Sequence, residues 1–276
     1  MIHVGIYNKL VALRKTSVGV FLGDNEGNDV LLPNKYVPST LEVDDEIEVF
    51  IYQDSEDRII ATTLTPKVIK NKFASLRVKE VNRVGAFLDW GLEKDLLVPY
   101  KEQTSEMIAG HWYVVYVYLD LESGRLAASS KLNQFFENDD IQVEEGEEVD
   151  LLVSQKTDIG YKVIINDTYS GIVYANEVFQ ELKQGLELKG YIKKIREDEK
   201  IDVALQKQGY VQVDATAQTI LDALEANEGF LALHDKSSPD DIKSELQMSK
   251  KLFKKAVGQL YKTKRIVIED NGIRLV

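Results

Sequence analysis

One short pattern occurs twice in the chain, at a constant spacing of 66 residues. The segment VGVFL at 18–22 aligns with VGAFL at 84–88, and DVLLP at 29–33 aligns with DLLVP at 95–99. Matches that share one offset without a gap indicate a duplicated structural unit, and this repeat constrains the fold more than composition does. Two further identities at the same offset are Asp54 with Asp120 and Ala61 with Ala127.

A third and more divergent copy follows at an offset of 75 from the second. Its glycines keep the spacing of the second copy, although most other residues differ. Three related copies predict three tandem small domains rather than one large domain. The equivalent positions are Gly85 with Gly160, Pro99 with Tyr174, Gly110 with Gly185, and Arg125 with Lys200.

Each copy consists of short segments that favour β-strands. These segments are rich in β-branched and aromatic residues, and Gly, Asp and Glu separate them. Five strands in about 65 residues is the size of a small closed barrel of the oligonucleotide-binding (OB) class, and closure removes exposed sheet edges. The sequence therefore predicts a mainly β protein with three five-stranded OB-fold barrels. In the second copy the predicted strands are 76–81, 85–90, 95–99, 113–119 and 124–130.

The last 66 residues change from a strand pattern to a helical one. Apolar residues recur at helical spacing in TAQTILDALEANEGFLAL, and Ser238 and Ser249 are predicted to cap two further helices. The final segment RIVIEDNGIRLV predicts two short strands around Asn271 and Gly272. Three helices and a hairpin predict an α+β winged helix-turn-helix domain. The predicted core positions of the last helix are Leu252, Phe253, Ala256, Val257 and Leu260.

These patterns predict four domains, at 1–66, 67–140, 141–208 and 209–276. The chain has no cysteine, no apolar run long enough to span a membrane and no secretory signal pattern. We therefore expect a cytoplasmic protein without a membrane partner. The net charge of −12 argues against nucleic-acid binding if the charges are evenly spread. Residues 211–276 carry ten cationic and ten anionic side chains, so the deficit lies in the first three domains.

The repeat motifs resemble the S-one (S1) RNA-binding domain, which is named after the largest protein of the bacterial small ribosomal subunit. That family has the pattern FGAFV, then GLVHIS, then a turn containing D..GRI.LS. The second copy is similar through VGAFL, DLLVP and DLESGRLAASS. Three such copies followed by this C-terminal segment resemble the conserved virulence factor B family of Gram-positive bacteria. The resemblance covers essentially the whole chain and implies RNA binding and control of gene expression.

The resemblance also implies candidate RNA-binding residues. In S1 domains, aromatic side chains on the second strand stack bases, and an arginine near the turn between strands four and five contacts the RNA backbone. The first aromatic of the family pattern is replaced by Val18, Val84 and Ile159, and its histidine by Pro33 and Pro99, so each barrel keeps only part of the expected surface. The candidate residues are Phe21, Arg58, Phe87, Asp120, Arg125, Lys162, Tyr174 and Lys200.

Each of these candidates has a structural alternative. A phenylalanine on a barrel strand often belongs to the core, and turn arginines often pair with nearby acids. Strand alternation resolves the first alternative, because Phe21 faces outward if Val20 and Leu22 face inward. The same argument applies to Phe87.

A second group of candidate residues lies at the predicted recognition helix of the winged-helix domain. Clustered lysines neutralise phosphates without reading base sequence, whereas a lysine-rich face is also an ordinary solvated face. The segment 65–83 is the most basic run in the first three domains, and it is either a positive track between two barrels or an ordinary charged strand. The helix candidates are Lys250, Lys251, Lys254, Lys255, Lys262, Lys264 and Arg265.

The sequence contains no catalytic, cofactor or metal-binding motif. We therefore expect a non-enzymatic protein without a cofactor, whose partner is single-stranded RNA and which regulates gene expression after transcription. Three alternatives stay open: a DNA-binding regulator that uses the winged helix, a protein-binding adaptor on the ribosome or RNA polymerase, and a nuclease that uses the acidic runs.

Overall fold

The computed structural model describes residues 1–175, 178, 182–205 and 215–276. The chain forms two compact units, Met1–Leu205 and Gln206–Val276. The first unit contains three closed five-stranded barrels, and the second contains helices and a small sheet. The predicted fold class is confirmed.

The three barrels share one topology, in which the strands follow the order 1-2-3-5-4 around the wall. The third and fifth strands pair in parallel, and the other neighbours that pair within each barrel are antiparallel. Barrel 1 contains β1 Tyr7–Lys15, β2 Gly19–Gly23, β3 Asp29–Pro33, β4 Glu46–Gln53 and β5 Ile59–Thr62. Barrel 2 contains β6 Phe73–Val81, β7 Gly85–Asp89, β8 Leu96–Pro99, β9 Trp112–Leu119 and β10 Leu126–Ser129. Barrel 3 contains β11 Glu148–Thr157, β12 Gly160–Ile165, β13 Tyr169–Tyr174, β14 Glu187–Ile195 and β15 Ile201–Ala204.

A glycine at the start of each second strand explains part of the repeated motif. A β-carbon at Gly19, Gly85 or Gly160 would lie 2.1–2.2 Å from a carbonyl oxygen of the neighbouring third strand. No side chain tolerates that distance, so the two strands approach this closely only when the residue is glycine. The repeated glycine is therefore required by the close approach of the second and third strands in each barrel.

Strand alternation fills the inside of each barrel. In barrel 1, Val20 and Leu22 are buried, and the equivalent Ala86 and Leu88 are buried in barrel 2. Alternate residues on the same strands lie on the outer surface, as the period of two requires. Each barrel thus has its own apolar core and a separate outer face.

Barrels 1 and 2 are joined by a buried aromatic contact. Trp90 of barrel 2 is 3% exposed and packs edge-on against Phe50 and Tyr52 of barrel 1, with ring centroids 5.8 and 6.4 Å apart. Its indole nitrogen donates to the Lys94 carbonyl oxygen at 2.6 Å. A buried aromatic contact with a satisfied polar atom holds the two barrels in one arrangement.

A second aromatic cluster lies between barrels 2 and 3, around the segment 130–136 that connects them. Phe136 stacks on Phe73 with ring centroids 5.3 Å apart, and Phe135 stacks on Tyr116 at 4.0 Å. Leu152 and Ile164 of barrel 3 join Phe73 in the same buried cluster. The segment between these barrels is therefore a packed part of the first unit.

The described part of the second unit is a winged helix. It contains α1 Ala215–Ala226, β16 Phe230–Leu231, α2 Pro239–Leu246, α3 Lys250–Lys262, β17 Ile266–Glu269 and β18 Gly272–Leu275. The three strands form one sheet in the order β16-β18-β17. The predicted caps are confirmed, because the Ser238 hydroxyl accepts from the Asp241 amide and the Ser249 hydroxyl accepts from the Leu252 amide.

Three details of this unit differ from the sequence-based expectations. Leu252 is 47% exposed and lies outside the core, because Phe253, Ala256, Val257 and Leu260 already form the buried stripe of α3. The hairpin turn is Asp270 and Asn271, since Gly272 pairs with Glu269 as part of β18. Strand β16 was not predicted, because two residues are too few to produce a periodic signal.

A β-carbon at Gly272 would lie 2.2 Å from the Leu231 carbonyl oxygen of β16, which explains why glycine is needed inside the strand. The exact domain boundaries stay predictions. Residues 206–214, where the last boundary falls, lie outside the described residues.

The close strand contact predicts a specific stability loss. Gly85→Ala places a methyl group against the Val98 carbonyl oxygen and should destabilise the first unit by about 2–4 kcal/mol. The control is Gly124→Ala, because Gly124 has φ of +69° but no atom within 4 Å of an added β-carbon. Thermal unfolding followed by circular dichroism measures both. Equal losses in the two variants would contradict the close-contact explanation.

Candidate nucleic-acid interface

The two predicted phenylalanines lie on the outer surface of their barrels. Phe21 and Phe87 are half-buried, whereas their neighbours on the same strands are fully buried. The alternation argument is confirmed. Phe87 lines a groove of about 460 Å³, the Phe87 groove, which also contains Val84, Pro99 and Arg125.

Phe21 is covered on one side by an arginine that the sequence did not indicate. The Arg14 guanidinium lies 4.1 Å from the centre of the Phe21 ring and is held by Asp29 at 2.8 Å. A cation over a ring is a favourable contact, so a base reaching Phe21 stacks on the other ring face or on the guanidinium itself. This contact follows from the pairing register of β1 and β2, which places Arg14 opposite Phe21.

Arg125 of barrel 2 is paired across the barrel boundary. The carboxylate of Asp57, in the β4–β5 turn of barrel 1, contacts the Arg125 guanidinium and also lies 2.9 Å from the Lys94 ammonium. We name these three side chains the Asp57 clasp. The hydrogen bond from Lys94 and the charge of Arg125 lower the pKa of the Asp57 carboxyl group below its usual value. Sequence could not reveal this pairing, because it joins two domains.

Arg58 and Asp120 are occupied within their own turns. The Arg58 guanidinium donates to Asp54 at 2.6 and 2.9 Å, and the hydrogen bond to Asp54 raises the pKa of Arg58. Asp120 accepts from the Ser123 hydroxyl at 2.6 Å, and this hydrogen bond lowers the pKa of Asp120. Both aspartates shape the turn between the fourth and fifth strands.

Barrel 3 presents a different outer face. Lys162 takes the place of the phenylalanine and is exposed. The Tyr174 hydroxyl contacts the guanidinium of Arg196, and Arg196 binds Asp202 at 2.8 Å. The hydrogen bond to Asp202 raises the pKa of Arg196. Arg196 was missed because neither other copy has a cation at the equivalent position.

Two further features concern the candidate RNA-contact surfaces of the barrels. Lys200 is exposed and pairs with Asp198 in its turn at 2.6 Å. The aliphatic residues that replace the first family aromatic, Val18, Val84 and Ile159, are 56–60% exposed in the three barrels. Each barrel therefore displays an apolar side chain where the resemblance implies a stacking ring.

The basic segment 65–83 does not form a continuous positive track. Lys67 pairs with Asp89 and Lys79 pairs with Asp95, both at 2.6 Å, and Lys72 lies 3.3 Å from Asp167. These pairs neutralise three of its cations. The run looked basic because its acidic partners come from distant parts of the sequence.

The winged-helix candidates lie on the polar side of α3 and in the turn that follows it. Lys251, Lys254, Lys255 and Lys262 are exposed, as are Lys264 and Arg265, and Lys250 is half-buried. None of these seven cations forms an ion pair with a described residue. They contrast with the first unit, where many cations are paired.

The described residues contain no cluster of His, Asp and Glu that could hold a metal ion. None of the described helices is both long and apolar enough to cross a membrane.

Comparison with known proteins places these domains in a family. The S1 domain model matches residues 4–64 and 72–131, and the CvfB-like winged helix domain model matches 218–275. A conserved virulence factor B from Staphylococcus epidermidis is 30% identical over 85% of this chain and 81% of its own length. This chain belongs to the conserved virulence factor B family.

Other relatives extend over nearly the whole chain. The uncharacterized protein YitL of Bacillus subtilis is 30% identical over 94% of this chain and 88% of its own length. A multidomain protein with nucleic acid binding domains from Streptococcus pneumoniae is 25% identical, with a TM-score of 0.48 over 99% of this chain and 98% of its own. S1 and winged-helix domains are nucleic-acid-binding rather than catalytic domains, so membership of the conserved virulence factor B family indicates nucleic-acid binding.

The lowered pKa of Asp57 predicts a pH-dependent contact between barrels 1 and 2. Folding favours the charged carboxylate, so the clasp stabilises fully above the ordinary carboxyl pKa and is lost as the pH falls through the lowered value. The difference in melting temperature between wild type and Asp57→Asn should therefore shrink between about pH 7 and about pH 3.

The control for this prediction is Asp150→Asn, which removes one exposed carboxylate paired with Lys189 inside barrel 3. Thermal unfolding across the pH series measures all three proteins. If the difference in melting temperature between wild type and Asp57→Asn did not change with pH, the assignment of the Asp57 clasp would be contradicted.

Proposed function

We propose that this protein binds single-stranded RNA through several weak surfaces and regulates gene expression after transcription, without catalytic activity. The carrying observation is the Phe87 groove, which places the half-buried ring of Phe87 beside two cations, Lys94 and Arg125. A stacking surface next to backbone-contacting cations is the combination that single-stranded nucleic acids bind. Phe87 lies on β7, the second strand of barrel 2, where the S1 resemblance implies a base-stacking aromatic, and this position supports the same role.

The Asp57 clasp leaves this groove accessible to phosphate. Asp57 and Arg125 are both about half exposed, and exposed ion pairs contribute only about 0–1 kcal/mol. A phosphate group that brings a base onto Phe87 therefore competes with the carboxylate at small cost. The groove is predicted to bind weakly because its cations begin in a paired state.

The winged-helix cations support a second contact. Seven basic groups on and after α3, none of which forms an ion pair with a described residue, attract phosphates without any base readout. Only two arginines lie in residues 211–276, so bidentate guanine recognition in duplex DNA has few candidate groups. This composition favours general contact with RNA over sequence-specific DNA binding.

Linkage between surfaces compensates for their individual weakness. Once one surface holds an RNA strand, the others meet it at a raised effective concentration. The staphylococcal relatives are named for virulence, and a protein that binds many RNAs weakly fits a regulatory role in that setting. We therefore propose the regulatory role together with RNA binding.

The Phe87 groove yields a direct test. Phe87→Ala should weaken binding of a labelled single-stranded RNA of mixed sequence by about 5- to 30-fold, since a stacked base contributes about 1–2 kcal/mol. The control is Trp112→Ala, which removes a 54% exposed aromatic of barrel 2 that does not line the groove. Fluorescence anisotropy measures the affinities. Equal effects in both variants would refute the assignment of Phe87.

The winged-helix contact predicts a change in salt dependence. Replacing Lys251, Lys254 and Lys255 by alanine should make the slope of log affinity against log salt about 2 smaller, because each lost phosphate contact removes about 0.7. The control replaces Lys15, Lys67 and Lys189, which pair with acids in the first unit, and so makes the same change in net charge. Identical slopes in the two triple variants would exclude a specific contact by α3.

The alternative functions give different outcomes in the same assay. Tighter binding of duplex DNA than of single-stranded RNA would favour a DNA-binding regulator. No RNA binding at low salt, where counterion release favours it most, would favour a protein-binding adaptor on the ribosome or RNA polymerase. Cleavage of the RNA in the presence of Mg²⁺ would contradict the non-enzymatic assignment.

A further inference from the structure

A second groove lies between barrels 2 and 3 and has a volume of about 620 Å³. Its walls come from β9 and a loop of barrel 2, the connecting segment 130–136, and strands β11 to β13 of barrel 3 together with Gln184. We name it the linker groove. Its described lining residues with polar side chains are Thr104, Ser105, Tyr113, Ser130, Lys131, Asn133, Gln134, Ser154, Gln155, Lys162, Ser170 and Gln184.

The described lining of the linker groove contains two lysines and no acidic residue, in a chain that has 46 acidic and 34 basic side chains. Two other grooves among the described residues of the first unit differ in this respect. The Phe87 groove contains Asp57, Asp95 and Asp120, and a groove beside β6 and β11 contains three acids as well. An anion can therefore enter the linker groove without displacing a carboxylate.

Both lysines of the linker groove are available for a ligand. Lys131 and Lys162 are exposed, and neither forms an ion pair with a described residue. One acid contacts a lining residue, because the Glu102 carboxylate accepts a long hydrogen bond of 3.4 Å from the Gln134 amide. The described lining itself therefore carries a positive charge.

The connecting segment is held in place before any ligand arrives. The Ser130 amide donates to the Glu102 carbonyl oxygen at 2.9 Å, and the Lys131 amide donates to the Ser129 hydroxyl at 3.0 Å. Phe135 and Phe136 are stacked into the cluster between the barrels. A preorganised wall lowers the entropy cost of binding.

We infer that the linker groove is a binding site for the backbone of single-stranded RNA, with Lys131 and Lys162 on successive phosphates. The neutral amides and hydroxyls of the groove suit ribose 2′-hydroxyls and base edges, which accept and donate hydrogen bonds. The strand passes from the outer face of barrel 3, at Lys162, over the connecting segment to barrel 2. This inference rests on the proposed function and adds a site outside the Phe87 groove and the winged helix.

The first test uses the two lysines. Lys131→Ala combined with Lys162→Ala should make the slope of log RNA affinity against log salt about 1.4 smaller and weaken binding at low salt about 10-fold. The control combines Lys15→Ala with Lys189→Ala, whose ammonium groups pair with Glu42 and Asp150. The two double variants change the net charge by the same amount. Circular dichroism verifies that both are folded.

The second test uses the absence of cysteine from the natural chain. Asn133→Cys, inside the groove, carries a photo-crosslinker attached through maleimide, and Glu48→Cys, exposed on barrel 1, carries the same reagent as a control. Labelled single-stranded RNA should crosslink at least about 10-fold more to position 133, and the lysine double variant should abolish the difference.

The outcomes separate this site from the proposed function. If wild type binds no single-stranded RNA, the proposed function fails and the site fails with it. If wild type binds RNA while the lysine double matches its control and both cysteine positions crosslink equally, the linker groove is refuted and RNA binding stands. Preferential crosslinking of position 133 together with the smaller salt slope establishes the site.

Discussion

Trp90 is packed against two aromatic side chains of the neighbouring barrel, and the arrangement of the Phe87 groove depends on this contact. Phe50 and Tyr52 lie on β4 of barrel 1, and the β4–β5 turn that follows carries Asp57 to the cations of barrel 2. Without the buried aromatic contact, the exposed clasp alone would be too weak to hold the turn in position. Apolar packing thus fixes the position of the β4–β5 turn, and the charged side chains of the Phe87 groove determine which ligand groups the groove attracts.

Local pairing of charges explains how a chain of net charge −12 can still present surfaces with a local excess of cations. Many cations of the first unit contact an acid, as Lys67 does with Asp89 and Arg58 with Asp54. Other cations pair with no acid among the described residues, and they include the exposed lysines of α3 and both lysines of the linker groove. Since screening confines exposed charges to a range of about 10 Å, a local excess of cations attracts phosphate despite the overall charge.

The sequence predicted the parts of the fold that local patterns encode. The spacing of Gly19 and Gly85, the alternation around Phe21 and the serine caps of α2 and α3 all follow from short-range chemistry. The partners of the candidate residues were not predictable. Arg14 reaches Phe21 through strand register, and Asp57 reaches Arg125 across 68 residues of sequence, so only the assembled barrels bring them together.

Aliphatic residues replace the first aromatic of the S1 pattern in all three barrels. This replacement changes how much base stacking and phosphate contacts can each contribute at the candidate sites. Val18, Val84 and Ile159 offer exposed apolar surface but no ring on which a base can stack. Stacking contributes about 1–3 kcal/mol per base, whereas a small aliphatic contact contributes only through the area it buries. Each barrel is therefore left with at most one strong base contact. If the protein binds RNA as proposed, phosphate contacts supply a larger share of the binding free energy, and the affinity depends on salt more than on base sequence.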